Sequence, residues 1–184
     1  MIDYKLMPLY RAGAYLSALS LVAICALISA QILCRLLDVL LSLVGLETLG
    51  WSVPGLSEIA GFLLVGVSFM GLAYTFVEGG HIRVTLLISR LSPRWRVWVE
   101  MACLTLAVAL TFYLAFFLAR LVEDSWTFSE MSYGLLSAPL WIPQSVLTAG
   151  ILLFALALLE AWWGTAKIAL LRPQTYVADD HAQE

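Results

Sequence analysis

Residues 12–34, AGAYLSALSLVAICALISAQILC, run for 23 positions between Arg11 and Arg35 without a formal charge. A helix needs about 20 apolar residues to cross a hydrocarbon layer of ~30 Å, so this stretch is long enough to span a membrane. The feature recurs. Nineteen uncharged residues, IAGFLLVGVSFMGLAYTFV, separate Glu58 from Glu78, and nineteen more, MACLTLAVALTFYLAFFLA, separate Glu100 from Arg120. A fourth interval, Met131 to Leu159, is 29 long and carries Pro139 and Pro143 in its first part. Proline lacks an N–H and is best tolerated in the first turn of a helix, so the last span is expected to open at Pro143 and run to about Gly164. The expected fold class is an all-α integral membrane protein with four transmembrane helices in one membrane domain. The spans are placed at residues 12–35, 57–78, 94–121 and 143–164, with a polar tail over 172–184.

Composition agrees. Of 184 residues 62% are apolar and 12% charged, against roughly 25% charged in a soluble domain. So few charges do not cover a soluble domain. A net charge of −3 with ten Lys and Arg provides no basic face for nucleic acid. Cys25, Cys34 and Cys103 form no C-x-x-C pair and read as apolar packing. His181 lies in the polar tail and His81 beside Gly79-Gly80, so no helix carries the paired histidines of a haem site. No cofactor or metal is implied. The first apolar run exceeds the 7–15 residues of a signal peptide and reads as a retained helix.

Boundary chemistry refines the spans. Ser92-Pro93 reads as an N-cap followed by proline at the first helical position, and that helix is expected to reach about Glu123. Glu58 falls in the first turn of span two, where an acid suits the helix dipole. Residues 36–50 are apolar but too short to cross again, so they extend span one or lie along the surface. Residues 79–91 form an amphipathic stretch, with Arg83 and Arg90 seven apart, suited to a short interfacial helix.

Lys and Arg near span ends set orientation. Lys5, Arg11, Arg83, Arg90, Arg94, Arg96, Lys167 and Arg172 fall on one side, and only Arg35 and Arg120 on the other. Both termini are therefore expected in the cytoplasm. The external loops hold Asp38, Glu47, Glu58, Glu123, Asp124 and Glu130, a net of −4 with the two arginines. These acids are either solvated loop ends or a docking surface for a soluble partner, with Glu123, Asp124 and Glu130 as the candidates. All seven tryptophans fall near span boundaries, where an indole sits at headgroup level.

Small residues at i, i+4 mark contact faces in lipid. Ala14, Ala18, Val22, Ala26 and Ala30 form one such row; Gly71, Thr75 and Gly79 form another. Internal packing and a partner interface account for both rows equally well. A transporter working alone usually carries an ionisable group deep in a span or helices broken around a substrate; here the charges sit at span ends. No Ser–His or Cys–His nucleophile pair is available. The residues describe a non-enzymatic membrane protein that works with another protein.

Several stretches resemble the small membrane subunit of tripartite ATP-independent periplasmic (TRAP) transporters, the DctQ-type family. They are Leu56-Ser57-Glu58-Ile59, the Gly71 region, Gly80-His81-Ile82-Arg83-Val84, Leu91-Ser92-Pro93-Arg94 and Pro139-Leu140-Trp141-Ile142-Pro143. Many relatives carry Trp where this chain has Leu56, and a second acid where it has Ile59. The resemblance implies a subunit of a cation-coupled, usually Na⁺-driven, importer of a small organic acid in a bacterial inner membrane. The implied partners are a large permease of about twelve spans and a periplasmic solute-binding protein, besides membrane lipid. Glu58, His81 and Arg83, with Gly71, Thr75 and Gly79, are the expected contacts to the large subunit. Two alternatives remain at this point. One is a self-contained oligomeric transporter or channel lined by Gln31, Ser68, Thr75, Thr105 and Thr111; the other is an anchor or assembly factor of another complex.

Overall fold

A computed structural model describes residues 4–48, 50–79 and 93–171. The described residues are helical, with only one isolated bridge between Met131 and Pro139. The helices are α1 (Met7–Leu43), α2 (Leu56–Met70), α3 (Leu72–Val77), α4 (Pro93–Thr127) and α5 (Trp141–Leu171). Four segments are long and apolar enough to cross a membrane: α1, α2 with α3, α4 and α5.

α1 opens at Met7 with Pro8 in its first turn, where the missing N–H is harmless. It stops where Gly45, at φ +76°, lets the chain turn back: Gly45 N–H bonds Ser42 O at 3.2 Å and Leu46 N–H bonds Leu41 O at 3.0 Å. This glycine-closed C-terminus makes residues 36–43 a continuation of α1. The helix is 37 residues long, about 55 Å at 1.5 Å per residue. The second crossing is broken at Gly71. There the Gly71 N–H turns to Phe69 O, beside the Ser17 hydroxyl that donates to Val67 O at 2.7 Å, and α3 restarts one residue later. α4 and α5 run past their expected ends, to Thr127 and Leu171, and α5 opens two residues before Pro143. The sequence after Gly164 contains no proline until Pro173, so nothing there stops the helix.

The helices form an open layer rather than a closed bundle. α5 is central and touches α1, α2, α3 and α4, whereas α4, among the described residues, packs mainly on α5. Glu100 and Ala107 are partly covered at the flank of the α4 seam, whose central positions are Val97, Met101, Leu104, Val108, Thr111, Ala115, Leu118, Val122 and Ser125. They advance in alternating steps of four and three, the seam of two helices crossing at about 20°. On α1 the covered seam is Tyr10, Gly13, Ser17, Ser20, Ile24, Leu27, Gln31, Cys34, Asp38 and Leu41. Of the alanine row on α1, only Ala14 is partly covered; Ala18, Val22, Ala26 and Ala30 face outward.

Glycines set how closely the layer packs. A Cβ on Gly13 would lie 2.5 Å from Met70 O, and one on Gly150 would lie 2.6 Å from Phe69 O. Backbone therefore meets side-chain-free backbone between α1 and α2 and between α2 and α5. At the end bearing the N-terminus, buried Tyr10, Ala73 and Ala157 form a small core. There the Tyr10 hydroxyl donates to Glu160 Oε2 at 2.9 Å, and Phe76 meets Phe154 edge-on at 5.7 Å.

Two contacts fix the antiparallel register of α4 on α5. Trp162 Nε1 donates to Thr105 Oγ1 at 2.9 Å, and the rings of Trp126 and Trp141 meet edge-on at 4.9 Å. Such interhelical bonds are worth about 0.6 kcal/mol on average in lipid. A double-mutant cycle of Thr105→Val with Trp162→Phe, read by thermal unfolding in detergent, is expected to return a coupling of about that size. Additive single effects would contradict the bond. α5 carries the same register onward: Phe69 lies beside Gly150 and Phe76 beside Phe154, so α2 and α5 run in the same direction.

Candidate functional site

Two connections and the ends of all four crossings meet at the end of the layer opposite the N-terminus, termed the loop end. The first connection is strapped down on α1: Gly50 N–H bonds Asp38 Oδ1 at 3.2 Å and Val53 N–H bonds Gln31 Oε1 at 2.9 Å. It reaches α2 through Pro54 and Gly55. Gly55 lies at φ +67° and is packed so closely that a Cβ would run into the Leu136 side chain. Its carbonyl accepts the N–H groups of Glu58 and Ile59 at 2.9 and 3.0 Å.

The second connection, residues 128–140, is a folded loop. Ser132 N–H bonds Ala138 O at 2.8 Å and Leu140 N–H bonds Glu130 O at 3.0 Å, closing a short antiparallel neck. At its base the buried Ser125 hydroxyl donates to Glu130 Oε2 at 2.6 Å. Ser129 and Ser137 adopt positive φ, 51° and 44°, at the corners. The tip, Tyr133 to Ser137, bends over α2. Leu136 N–H donates to Glu58 Oε2 at 3.1 Å, and Gly134 lies so close that a Cβ there would overlap the Glu58 carboxylate. The other carboxylate oxygen, Oε1, is enclosed and takes no hydrogen bond among the described residues.

The outer surface of this loop is apolar. Tyr133 is fully exposed, Leu135 is 84% exposed and Phe128 74%, and half of Met131 is open. A rigid loop that holds bulky apolar side chains away from its own core has the character of a binding surface. Beside it, at the C-terminal end of α4, Glu123 and Asp124 are exposed. Acids at a helix C-terminus sit at the unfavourable end of the dipole, by about 0.3–1 kcal/mol each. Arg120, three and four residues before them, offsets part of that cost.

The remaining sequence-derived candidates scatter. Gly71 faces Ser17, whose Oγ would lie 3.2 Å from a Cβ, and so belongs to the contact between α1 and the second crossing. Thr75 is exposed and its hydroxyl donates to Gly71 O at 3.0 Å. Gly79 ends α3 at φ +80°, with nothing within 4 Å of a Cβ. Glu58 is drawn into its own chain's loop, and Glu130 is engaged by Ser125. His81 and Arg83, the 79–91 stretch beyond Gly79, and the 172–184 tail lie outside the described residues. Sequence reasoning missed Gly13, Gly134, Gly150 and the apolar knuckle of the second loop. A lone glycine inside an apolar run, as at Gly150, is the one signal that was available.

Four of the five polar residues considered for a pore serve local needs. Gln31 holds the first loop, Thr105 accepts from Trp162, and the hydroxyls of Thr75, Thr105 and Thr111 donate to carbonyls of their own helices. A family model described as "Tripartite ATP-independent periplasmic transporters, DctQ component" matches residues 24–167. No curated protein and no solved structure matches the chain.

Proposed function

The chain belongs to the DctQ-component family of tripartite ATP-independent periplasmic transporters, and from that premise we propose that it is the static scaffold of a cation-coupled importer. It is a multi-pass membrane protein and a transporter component. The finer reading has four parts: both termini are cytoplasmic, the membrane is a bacterial inner membrane, the solute is a small organic acid, and the coupling ion is Na⁺. The eight-to-two division of Lys and Arg supports the orientation, and puts the loop end in the periplasm.

The open layer carries the scaffold reading. α1 and α4 each bury one narrow seam and leave their other faces uncovered, more than a compact small bundle leaves. The outward alanines of α1 and the small exposed positions Gly61, Ser68 and Thr75 on the second crossing suit close approach by helices of a large permease. Lipid covers what the permease does not. At the periplasmic end, the apolar knuckle and the acids Glu123 and Asp124 suit docking of the solute-binding protein. Local engagement of Gln31, Thr75, Thr105 and Thr111 disfavours a pore formed by this chain alone.

Co-expression tests the scaffold reading. The chain is expected to co-purify in stable stoichiometry with a large permease of the same transporter family, and vesicles holding both are expected to take up solute delivered by the binding protein. Uptake into vesicles that hold this chain and the binding protein without the large permease would overturn it. Failure of the pair to co-purify would favour an anchor for another complex.

A further inference from the structure

We propose that Glu58 is a positioning residue that presets the second periplasmic loop for its soluble partner; this rests on the docking role proposed above. Glu58 stands in the first turn of α2, 78 residues from the amide it binds, and takes no place on the loop's outer surface. Its carboxylate is the post around which Tyr133 to Ser137 bends. The Leu136 N–H reaches it from one side, the Gly134 backbone closes on it from another, and the Leu136 side chain rests on Gly55 one turn below. The neighbouring residues Tyr133 and Leu135 are thereby turned outward. The other ties of the loop, Ser125–Glu130, Leu140–Glu130 and Ser132–Ala138, hold its base and neck; at the tip the Gly134 N–H bond to Ser132 Oγ at 3.3 Å is local to the loop, which leaves Glu58 as the tip's hydrogen-bond partner on α2. An apolar surface that is ordered before encounter avoids the entropic cost of ordering it on binding, and affinity rises accordingly. The occupant is the solute-binding protein, because the knuckle is flanked by the exposed acids Glu123 and Asp124, which favour a soluble partner with a basic rim over anionic lipid.

The experiment uses the complete membrane complex in nanodiscs with its own solute-binding protein. Amide hydrogen exchange over 132–137 reads the loop, and the dissociation constant reads docking. Glu58→Ala is expected to speed exchange in the loop by about tenfold, the scale of one lost bond to a charged acceptor, and to weaken docking several-fold. Glu58→Gln keeps an acceptor oxygen for Leu136 and is expected to keep both loop order and affinity. Gly134→Ala leaves every charge in place, forces the loop off the carboxylate, and is expected to match Glu58→Ala. Unchanged exchange in Glu58→Ala would overturn the proposal. So would a loss of affinity in Glu58→Gln with the loop still protected, since Glu58 would then act through its charge. A loosened loop with unchanged affinity would instead overturn the docking role on which the proposal rests, leaving a clasp without that purpose.

Discussion

Gly150→Leu is expected to separate α5 from the second crossing and to remove the chain from the folded, detergent-soluble fraction. A Cβ at this position would lie 2.6 Å from Phe69 O, 2.7 Å from its carbonyl carbon and 2.8 Å from its Cβ. The obstacle is backbone, so no rotamer change relieves it. Overpacking against a yielding core costs about 1–3 kcal/mol; Gly150→Ala falls in that range and leucine, with three more carbons, exceeds it. In lipid nothing compensates, because separated helices exchange one apolar neighbour for another. Thermal unfolding of the purified chain in detergent is the measurement, with Gly61→Leu as its counterpart. A Cβ on Gly61 meets nothing within 4 Å, so that variant should fold normally and fail only in assembly with the permease. Equal stability of the two glycine variants would contradict the packing described.

The double reversal Glu123→Lys with Asp124→Lys is expected to slow association of the solute-binding protein by about tenfold or more at low ionic strength, with little change in its dissociation rate. The loss should shrink at 0.5 M salt, where the Debye length falls to roughly 4 Å. Two features make the result interpretable. Both side chains are exposed at the end of α4, and the better fit of lysines to the helix dipole offsets the lost pairing with Arg120, so the fold should be little changed. Slower docking therefore cannot be assigned to unfolding. Equal association rates at low salt would remove these acids from the docking surface.

The four crossings were legible in the sequence because a charge inside hydrocarbon is costly, so the gaps between charges mark what lies within. The faces were not. A lipid-facing side chain is as apolar as a buried one, which erases the periodicity that marks the inner face of a soluble helix. The alanine row of α1 and its true seam through Gly13, Ser17 and Ser20 look equally suitable as strings of residues. They differ only in what stands opposite: Met70 O, Val67 O and Gly66. Helix ends were legible where local chemistry was read, as at Pro93, and displaced elsewhere, as at Met7, five residues before the expected start, and at Leu171. For the candidate site, Glu58 and the exposed acids were visible as charges near a boundary. Their difference was not: Glu58 turns inward under a loop that begins 70 residues later, while Glu123 and Asp124 stay free of such a cover. That distinction depends on the non-local approach of Gly134, which no local pattern encodes.

The register of α4 on α5 has a geometrical consequence for how the layer stands in the bilayer. Pairing of Thr105 with Trp162 and Trp126 with Trp141 sets the uncharged stretch of α4, Met101 to Ala119, opposite residues 148–166 of α5. Pairing of Phe69 with Gly150 and Phe76 with Phe154 sets the uncharged stretch of the second crossing about nine residues nearer the loop end, or about 14 Å along the axis. The two helices stand two spacings of about 8–10 Å apart. A flat hydrocarbon slab that contains both stretches must then cut the layer obliquely, at roughly 35–40°, near the upper limit for transmembrane helices. Over ~30 Å of hydrocarbon such a lean carries the loop end about 20 Å sideways from the opposite end. A partner gripping the layer along its length is thus underpinned on one side of the membrane and overhung on the other.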